Sequence, residues 1–502
     1  MATVEKCFYA YFEQYAAQCG SNPFLFDEGR RFSVDETFHE VIAIGNRLHD
    51  FGVRQGNLVA LRCTRSLDGY LIYLALQFLG ATAVLTSPHQ PVDAFFRNAG
   101  VPILPDFVIT NEAAGKGIAA NGDWVVWGHG ALEICTPGRK EAPRFAIGSD
   151  LKAPSTILFT SGSTGKSKAA TLSQEALLQY GEDSVVYPWH HPDDIAIVTL
   201  PTHHGFALCL LTAALVARYA LFFPRSIQPE YVLACIETHK ITRINGVPSY
   251  LYTLARTNEL QKRNLASLRT GFTAGAPIVP SQHRFVEQTL GIILHPLYGM
   301  SESISISCTC PTDSAEHRAT TVGRFHRNAG CILDGKGNPV PQGQEGEICV
   351  RGSAIMNGYY GDPEATGQAI DAAGRLHTGD LGYLDQDGYL RITGRIKDII
   401  IRNGINLSPA KIEAAIRSLP EVENAIVVGV RHEFLGEAPC ALVVLKDGDT
   451  MTADTLNKRL TALLPKNEVP VSILFTPDIP LNPIGKPDKQ AIRKLFPEWR
   501  EL

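Results

Sequence analysis

The N-terminal part of the chain alternates between two apolar periods. SVDETFHEVIAIGNRLHDF places apolar residues at helical spacing behind an N-capping serine, and Gly52 closes it. VALRC follows as a short strand, SLDGYLIYLALQFLG as a helix closed by Gly80, and ATAVLTSP as another strand. That succession is a βαβ unit, which implies a parallel sheet. The pattern recurs. DIAIVTLP, ALFFP and ITRINGVP read as strands, GFALCLLTAALVARY and PEYVLACIETHK as helices. LRTGFTAGAP and IILHPLYGMSE read as strands running out into glycine-rich loops. Ligands gather beyond the carboxyl ends of strands in such sheets, so chemistry is expected in those loops.

From about Thr321 helical periods vanish, and Gly and Pro punctuate short alternating runs, as in GCILDGKGNPVPQGQEGEICVRG. HTGDLGYLDQDGYLRITGR continues this β-rich stretch, with Asp387-Gly388 marking a hairpin turn. After Arg395 a small α+β unit is expected: SPAKIEAAIRSLP and TADTLNKRLTALLP as helices, ENAIVVGV and CALVVL as strands. The expected organisation is an α/β core over residues 1–394, with a β-rich subdomain at 321–394. A hinge at 395–398 and a mobile C-terminal domain at 399–502 follow.

Charge narrows the function. The chain has 502 residues with 46 Lys plus Arg against 51 Asp plus Glu, a net charge of −5. No basic field for nucleic acid exists. Ala207–Phe223, the most apolar run, carries Arg218 and reads as a buried helix entering a strand, so no transmembrane segment is expected. The N-terminus lacks the apolar core of a signal peptide. The 11 cysteines show no finger-like spacing and read as reduced thiols of a cytoplasmic protein, not as a zinc site.

The strongest local signal is STILFTSGSTGKSKAATLS, Ser155–Ser173. Small hydroxylated residues and glycines let main-chain N–H groups approach an anion, and Lys166 and Lys168 add charge, so the loop suits a polyphosphate. Gly162 and Gly165 are too close together for a Walker A loop, and the flanking segments are β-type.

Five motifs occur in order: TSGSTGKSK, YGMSE (Tyr298–Glu302), HTGDLGYL (His377–Leu384), GRIKD (Gly394–Asp398) and GKPDK (Gly485–Lys489). The set resembles the ANL superfamily of adenylate-forming enzymes. The resemblance implies a two-step reaction. A carboxylate attacks the α-phosphorus of ATP to give acyl-AMP and pyrophosphate, and a thiol then displaces AMP. Charge on the in-line phosphoryl oxygens calls for a metal and cationic donors.

Carried over by resemblance, Lys486 is the catalytic lysine and His204, in LPTHHGF, gates the acyl pocket. Thr160, Ser161, Gly162, Ser163, Thr164, Gly165, Lys166 and Lys168 hold phosphates. Ala274, Gly275, Ala276 and Pro277 wall the adenine, with Tyr298, Gly299, Met300 and Ser301 beside the nucleotide. Glu302 holds Mg²⁺, Asp380 the ribose hydroxyls, and Arg395 the ribose or phosphate. Lys397 is the hinge, and Gly404 lines the thiol channel. His204, Gly205, Val247, Thr273, Gly299, Ser303 and Ile304 line an acyl pocket of mixed polarity.

LPTHHGF lacks the Asp that amino-acid-activating members of that family carry near this gate, and the small lining of mixed polarity suits an aryl or short-to-medium acyl carboxylate. Arg243 is open between pairing with a second carboxylate of a diacid and snorkelling from a strand end. His203 and His204, read as strand neighbours, would point to opposite faces and share no metal. Ser167, Ala169-Ala170 and Leu481-Asn482 depart from the family pattern but spare the charged groups. The expected activity is an acyl- or aryl-CoA synthetase using ATP, Mg²⁺ and coenzyme A. Alternatives are loading of a carrier-protein pantetheine and a non-catalytic nucleotide-binding protein. A P-loop ATPase is opposed by the glycine spacing.

Overall fold

The computed structural model describes residues 7–62, 65–87, 105–110, 125–126, 130–131, 141–160, 167–187, 189–326, 330–432, 435–446, 448–481 and 487–496. The chain divides into two compact units, Met1–Gly330 with Val350–Leu376, and Cys331–Cys349 with His377–Leu502. The expected division fell at residue 394, and the β-rich stretch expected at 321–394 supplies a sheet running from Gly330 to Arg395. Of the β-rich segment, residues 331–349 and those from His377 onward cluster with the C-terminal residues.

The first unit holds two sheets. In the nine-stranded sheet, Ile195–Ile197, Arg243–Gly246, Thr270–Thr273 and Ile293–Met300 are parallel neighbours. The eight-stranded sheet has Leu58–Arg62 and Thr82–Thr86 parallel at its centre, as the βαβ reading requires. Its other half is an antiparallel hairpin of Pro154–Phe159 and Ala169–Ser173, edged by Gly358–Tyr359.

Helix composition explains where the helices sit. Gly205–Ala217 is buried from Ala207 to Val216 on every side, and Leu67–Leu79 is buried at all but one position. A helix that is apolar all round must be covered all round. Val34–Asp50 instead has an apolar stripe and a full capping box between Ser33 and Glu36. Helix Leu67–Leu79 ends at Gly80 with φ +69°, and the Gly148 backbone packs directly on it. A Cβ on Gly148 would stand 2.4 Å from the Gly80 Cα, so this crossing requires glycine.

The second unit carries a four-stranded sheet in the order Gly330–Leu333, Gly346–Val350, Leu376–Leu384, Leu390–Arg395. The last two are joined at Asp387-Gly388, as expected, with Gly388 at φ +80°. Helix Pro409–Arg417 starts at Ser408, whose side chain accepts from Lys411 N–H, with Pro at the first position. It packs on Val422–His432, which with Gly436–Leu445 forms the antiparallel centre of a five-stranded sheet. Ile400, Leu407, Ile412, Ile416, Val427 and Leu456 close the core between them.

Candidate active site

In the first unit the hairpin Pro154–Phe159/Ala169–Ser173 presents the expected phosphate loop at its open end. Thr160 N–H donates to the Lys168 carbonyl at 2.8 Å, which closes the mouth of the loop. Ser161 to Lys166 lie outside the described residues. The Lys168 ammonium stands 4.7 Å from the ring centroid of Tyr359, on the neighbouring edge strand, a cation–π contact. The Tyr359 hydroxyl donates to Glu302 Oε1 at 2.7 Å. Glu302 is buried, and its carbonyl accepts from Met356 N–H at 2.8 Å. Burial, then the Glu302 charge, raises the Tyr359 phenol above its ordinary value, so it remains a donor. Tyr359 thus links the lysine of the phosphate loop to the carboxylate of YGMSE. Sequence reasoning missed it, because the contact joins residues 57 apart along the chain.

The remaining first-unit candidates collect at the carboxyl ends of the parallel strands. Tyr298, Gly299 and Met300 end strand Ile293–Met300, where the register with Ser303–Cys308 shifts between Tyr298 and Met300. Gly299 sits in that bulge. A Cβ there would lie 2.2 Å from the Ile304 carbonyl oxygen, so the close approach admits only glycine. Ser303 and Ile304 are buried just beyond. Ala274 to Pro277 follow strand Thr270–Thr273, and Gly275 adopts φ +86° with its Cβ position 3.6 Å from Val247 Cγ1. Val247 caps helix Pro248–Arg256 and is 37% exposed, available to line a pocket. The Cβ position of Gly205 lies 3.9 Å from both Met300 O and Ser301 Cα, so LPTHHGF and YGMSE adjoin.

His204 is the N-cap of helix Gly205–Ala217, not a strand residue, and its N–H bonds the Pro201 carbonyl in a tight turn. The rings of His203 and His204 therefore lie side by side, 4.5 Å between centroids, instead of on opposite faces. Pro201 ends the strand pattern before the histidines. Among the described residues, neither belongs to a three-ligand metal cluster.

Arg243 resolves differently from both alternatives read in the sequence. It is fully buried, neither snorkelling nor aimed at the pocket. It begins strand Arg243–Gly246, roughly 10 Å along the strand from the carboxyl end where Val247 follows. Its guanidinium lies 4.4 Å from the Phe272 ring and 4.9 Å from Tyr219, and Nη1 bonds His190 Nδ1. Burial, then the Arg243 charge, holds His190 well below its usual value, so the neutral ring accepts from the guanidinium.

In the second unit Asp380 and Arg395 pair across adjacent strands, Arg395 Nε donating to Asp380 Oδ1 at 2.6 Å. The Asp380 side chain is 4% exposed and the Arg395 side chain 51%. Thr378 Oγ1 accepts from Asp380 N–H at 3.0 Å and donates to the Ile348 carbonyl, fixing the turn of HTGD. Lys397 lies in the 3₁₀ turn Ile396–Asp398 that follows. Asp398 pairs with Lys489 at 2.7 Å, which brings GRIKD and GKPDK together within this unit. Lys486 lies outside the described residues; Leu481 and Pro487, flanking its segment, form an antiparallel bridge. Gly404 is in a two-residue hairpin turn with Asn403, at φ +75° and +51°, joining Ile400–Arg402 to Ile405–Leu407. Both positive angles are those of a type I′ turn, and the Asn-Gly pair was the signal for it.

Two family models match the chain, the AMP-binding enzyme over residues 12–360 and the AMP-binding enzyme C-terminal domain over residues 411–486. A 4-coumarate–CoA ligase 3 from Oryza sativa subsp. japonica is 28% identical over 501 residues, 95% of this chain and 90% of the relative. A mitochondrial medium-chain acyl-CoA ligase, ACSF2, from Danio rerio is 34% identical over 350 residues. That match takes 68% of this chain and spans 58% of the relative's length. The crystal structure of ATP-bound MatB from Rhodopseudomonas palustris superposes with a TM-score of 0.83 at 25% identity, covering 97% of this chain and 98% of that one. The chain belongs to the AMP-binding enzymes, the ANL superfamily of adenylate-forming proteins.

Proposed function

We propose that this protein activates a carboxylic acid with ATP as an acyl-adenylate and then transfers the acyl group to the thiol of coenzyme A. The observation that carries the reading is the Lys168–Tyr359–Glu302 chain at the mouth of the phosphate loop. It sets a cation and a buried carboxylate beside a loop composed for polyphosphate, at the ends of strands whose loops can hold an organic acid. The ligase names of the relatives support the same reaction class.

The residues present fit a magnesium ion. One oxygen of the buried Glu302 carboxylate is fixed by Tyr359, and a hard cation commonly takes one or two such carboxylates together with phosphates. Glu302 would hold the ion, which supplies neutralisation of phosphate charge when bound. Lys168 and the loop N–H groups draw the polyphosphate in and orient it. Val247, Thr273, Gly299, Ser303 and Ile304 position the acid with His204 at the gate. Asp380 and Arg395 take the ribose, and Lys486 bridges carboxylate and α-phosphate in the first half-reaction. After adenylation the C-terminal segment swings about Lys397 and brings Gly404 to the thiol.

The nine described cysteines are thiols and not disulfides, in keeping with the reducing cytoplasm we assign. Among the described residues no helix is long and apolar enough to cross a membrane. The test is mass-spectrometric detection of AMP and acyl-CoA from ATP, coenzyme A and a panel of aryl, fatty and dicarboxylic acids. A phosphopantetheinyl carrier protein is offered in parallel. AMP and acyl-CoA formed together support the proposal. AMP with acylation of the carrier alone moves the acceptor, and ATP cleavage without any acid overturns the reading.

A further inference from the structure

The strand that carries HTGD also holds a cluster for which the adenylation reading has no use. Glu347 and Cys349 lie two residues apart on Gly346–Val350, hence on one face, and His377 lies on the adjacent strand Leu376–Leu384. His377 Nδ1 is 2.8 Å from Glu347 Oε2 and 3.5 Å from Cys349 Sγ, and the three ligating atoms lie within 4.8 Å of one another. Among the described residues no other trio of His, Cys, Asp or Glu atoms converges in this way. Glu347 Oε1 also accepts from Gly379 N–H at 3.0 Å, which fixes the carboxylate and leaves Oε2 turned to the ring. The Cys349 thiol meets the same ring nitrogen and completes a converging set of three donors.

We propose that Glu347, Cys349 and His377 bind one divalent cation of the zinc class. Thiolate, imidazole and carboxylate together are a borderline-soft donor set, and three protein ligands with a fourth position left to water is a common zinc arrangement. Bond lengths of about 2.0–2.3 Å at tetrahedral angles set donor separations of roughly 3.3–3.7 Å. The two His377 separations, 2.8 and 3.5 Å, lie below and within that range and the third is within 4.8 Å, so shifts of up to about an ångström seat the ion. The Glu347 and His377 side chains are 20% and 29% exposed above a buried Cys349, which leaves an approach from solvent for the ion and its water. On binding, the Cys349 thiol gives its proton to the buffer. The imidazole carries its proton on Nε2, so that the Nδ1 lone pair faces the metal. The sequence hid the site because its ligands come from two strands 28 residues apart and not from a finger-like repeat.

The test uses the full-length protein after chelator treatment, titrated with cobalt(II) and then zinc(II). One equivalent of cobalt should give an intense near-ultraviolet sulfur-to-cobalt charge-transfer band, abolished by one equivalent of zinc. Cys349→Ser should lose the band while keeping its far-ultraviolet circular dichroism. Glu347→Gln, which keeps the shape of the site, should weaken zinc binding at least about tenfold. Absence of the band in the parent protein overturns the proposal. So does an unchanged band in Cys349→Ser, which would place the metal on another thiol such as the half-buried Cys331 or Cys310. If Cys349→Ser fails to fold, zinc affinity unchanged in Glu347→Gln and His377→Gln also overturns it.

Discussion

Replacing Tyr359 with phenylalanine removes one oxygen atom and leaves the ring beneath Lys168 in place. The atom lost is the donor to Glu302 Oε1 at 2.7 Å, and Glu302 is only 6% exposed, so water cannot readily replace it. A hydrogen bond to a charged acceptor contributes about 1.5–3 kcal/mol, which corresponds to roughly 10- to 150-fold in rate or affinity. Outer partners of metal-holding carboxylates cost about 10- to 100-fold when removed, and the two scales agree. Tyr359→Phe is therefore expected to raise the magnesium concentration required for half-maximal adenylation by at least about tenfold. Adenylation is followed by pyrophosphate exchange across a magnesium series at saturating acid. Thermal midpoints measured alongside separate a positioning defect from unfolding. Exchange within twofold of the parent at every magnesium concentration would refute the coupling of Tyr359 to Glu302.

Other perturbations test other parts of the account. Gly299→Ala forces a Cβ to 2.2 Å from a backbone carbonyl that cannot rotate away. It should cost about 1–3 kcal/mol in denaturant unfolding, with adenylation lost as the bulge shifts. Lys486→Ala should abolish acid-dependent pyrophosphate exchange but largely spare thioester formation from supplied acyl-adenylate; equal loss of both half-reactions contradicts the role. Burial, then the Arg243 charge, holds His295 down at about 3. The unfolded chain therefore binds a proton that the fold refuses. Stability contributed by the neutral ring is present above pH ~6.5 and falls as pH drops toward ~3, by about 1.4 kcal/mol per unit. His295→Asn should flatten the decline in denaturation midpoint between pH 7 and pH 5, and an equally steep decline would contradict that assignment.

Local grammar made much of the fold legible. Ala207–Phe223 reads as helix then strand because an apolar run long enough for a helix is followed by Arg218 and a β-type triplet. The structure places helix Gly205–Ala217 before strand Ala220–Phe222. Ser408 and Pro409, with the amphipathic pattern behind them, announce their helix. What escaped depended on partners distant in sequence. Nothing near Arg243 foretells Tyr219 and Phe272 closing over it, and nothing near Gly358-Tyr359 foretells that this short edge strand touches Glu302. The pairing of Gly346–Val350 with Leu376–Leu384 is of the same kind, since the two strands are separated by a long stretch of chain. The Asn403-Gly404 turn, by contrast, is readable from the dipeptide itself, while the thiol-channel role of Gly404 comes only from the resemblance. The two readings are compatible, because a turn tip is open and a Cβ at Gly404 would meet nothing within 4 Å.

The most direct measurement of the central claim is exchange of labelled pyrophosphate into ATP, run without any thiol across aryl, fatty and dicarboxylic acids. The account predicts that label enters ATP only when a suitable acid is present, and that the exchange disappears in Lys486→Ala. Label entering ATP at the same rate without acid, or no exchange with any acid while AMP still binds, would contradict it.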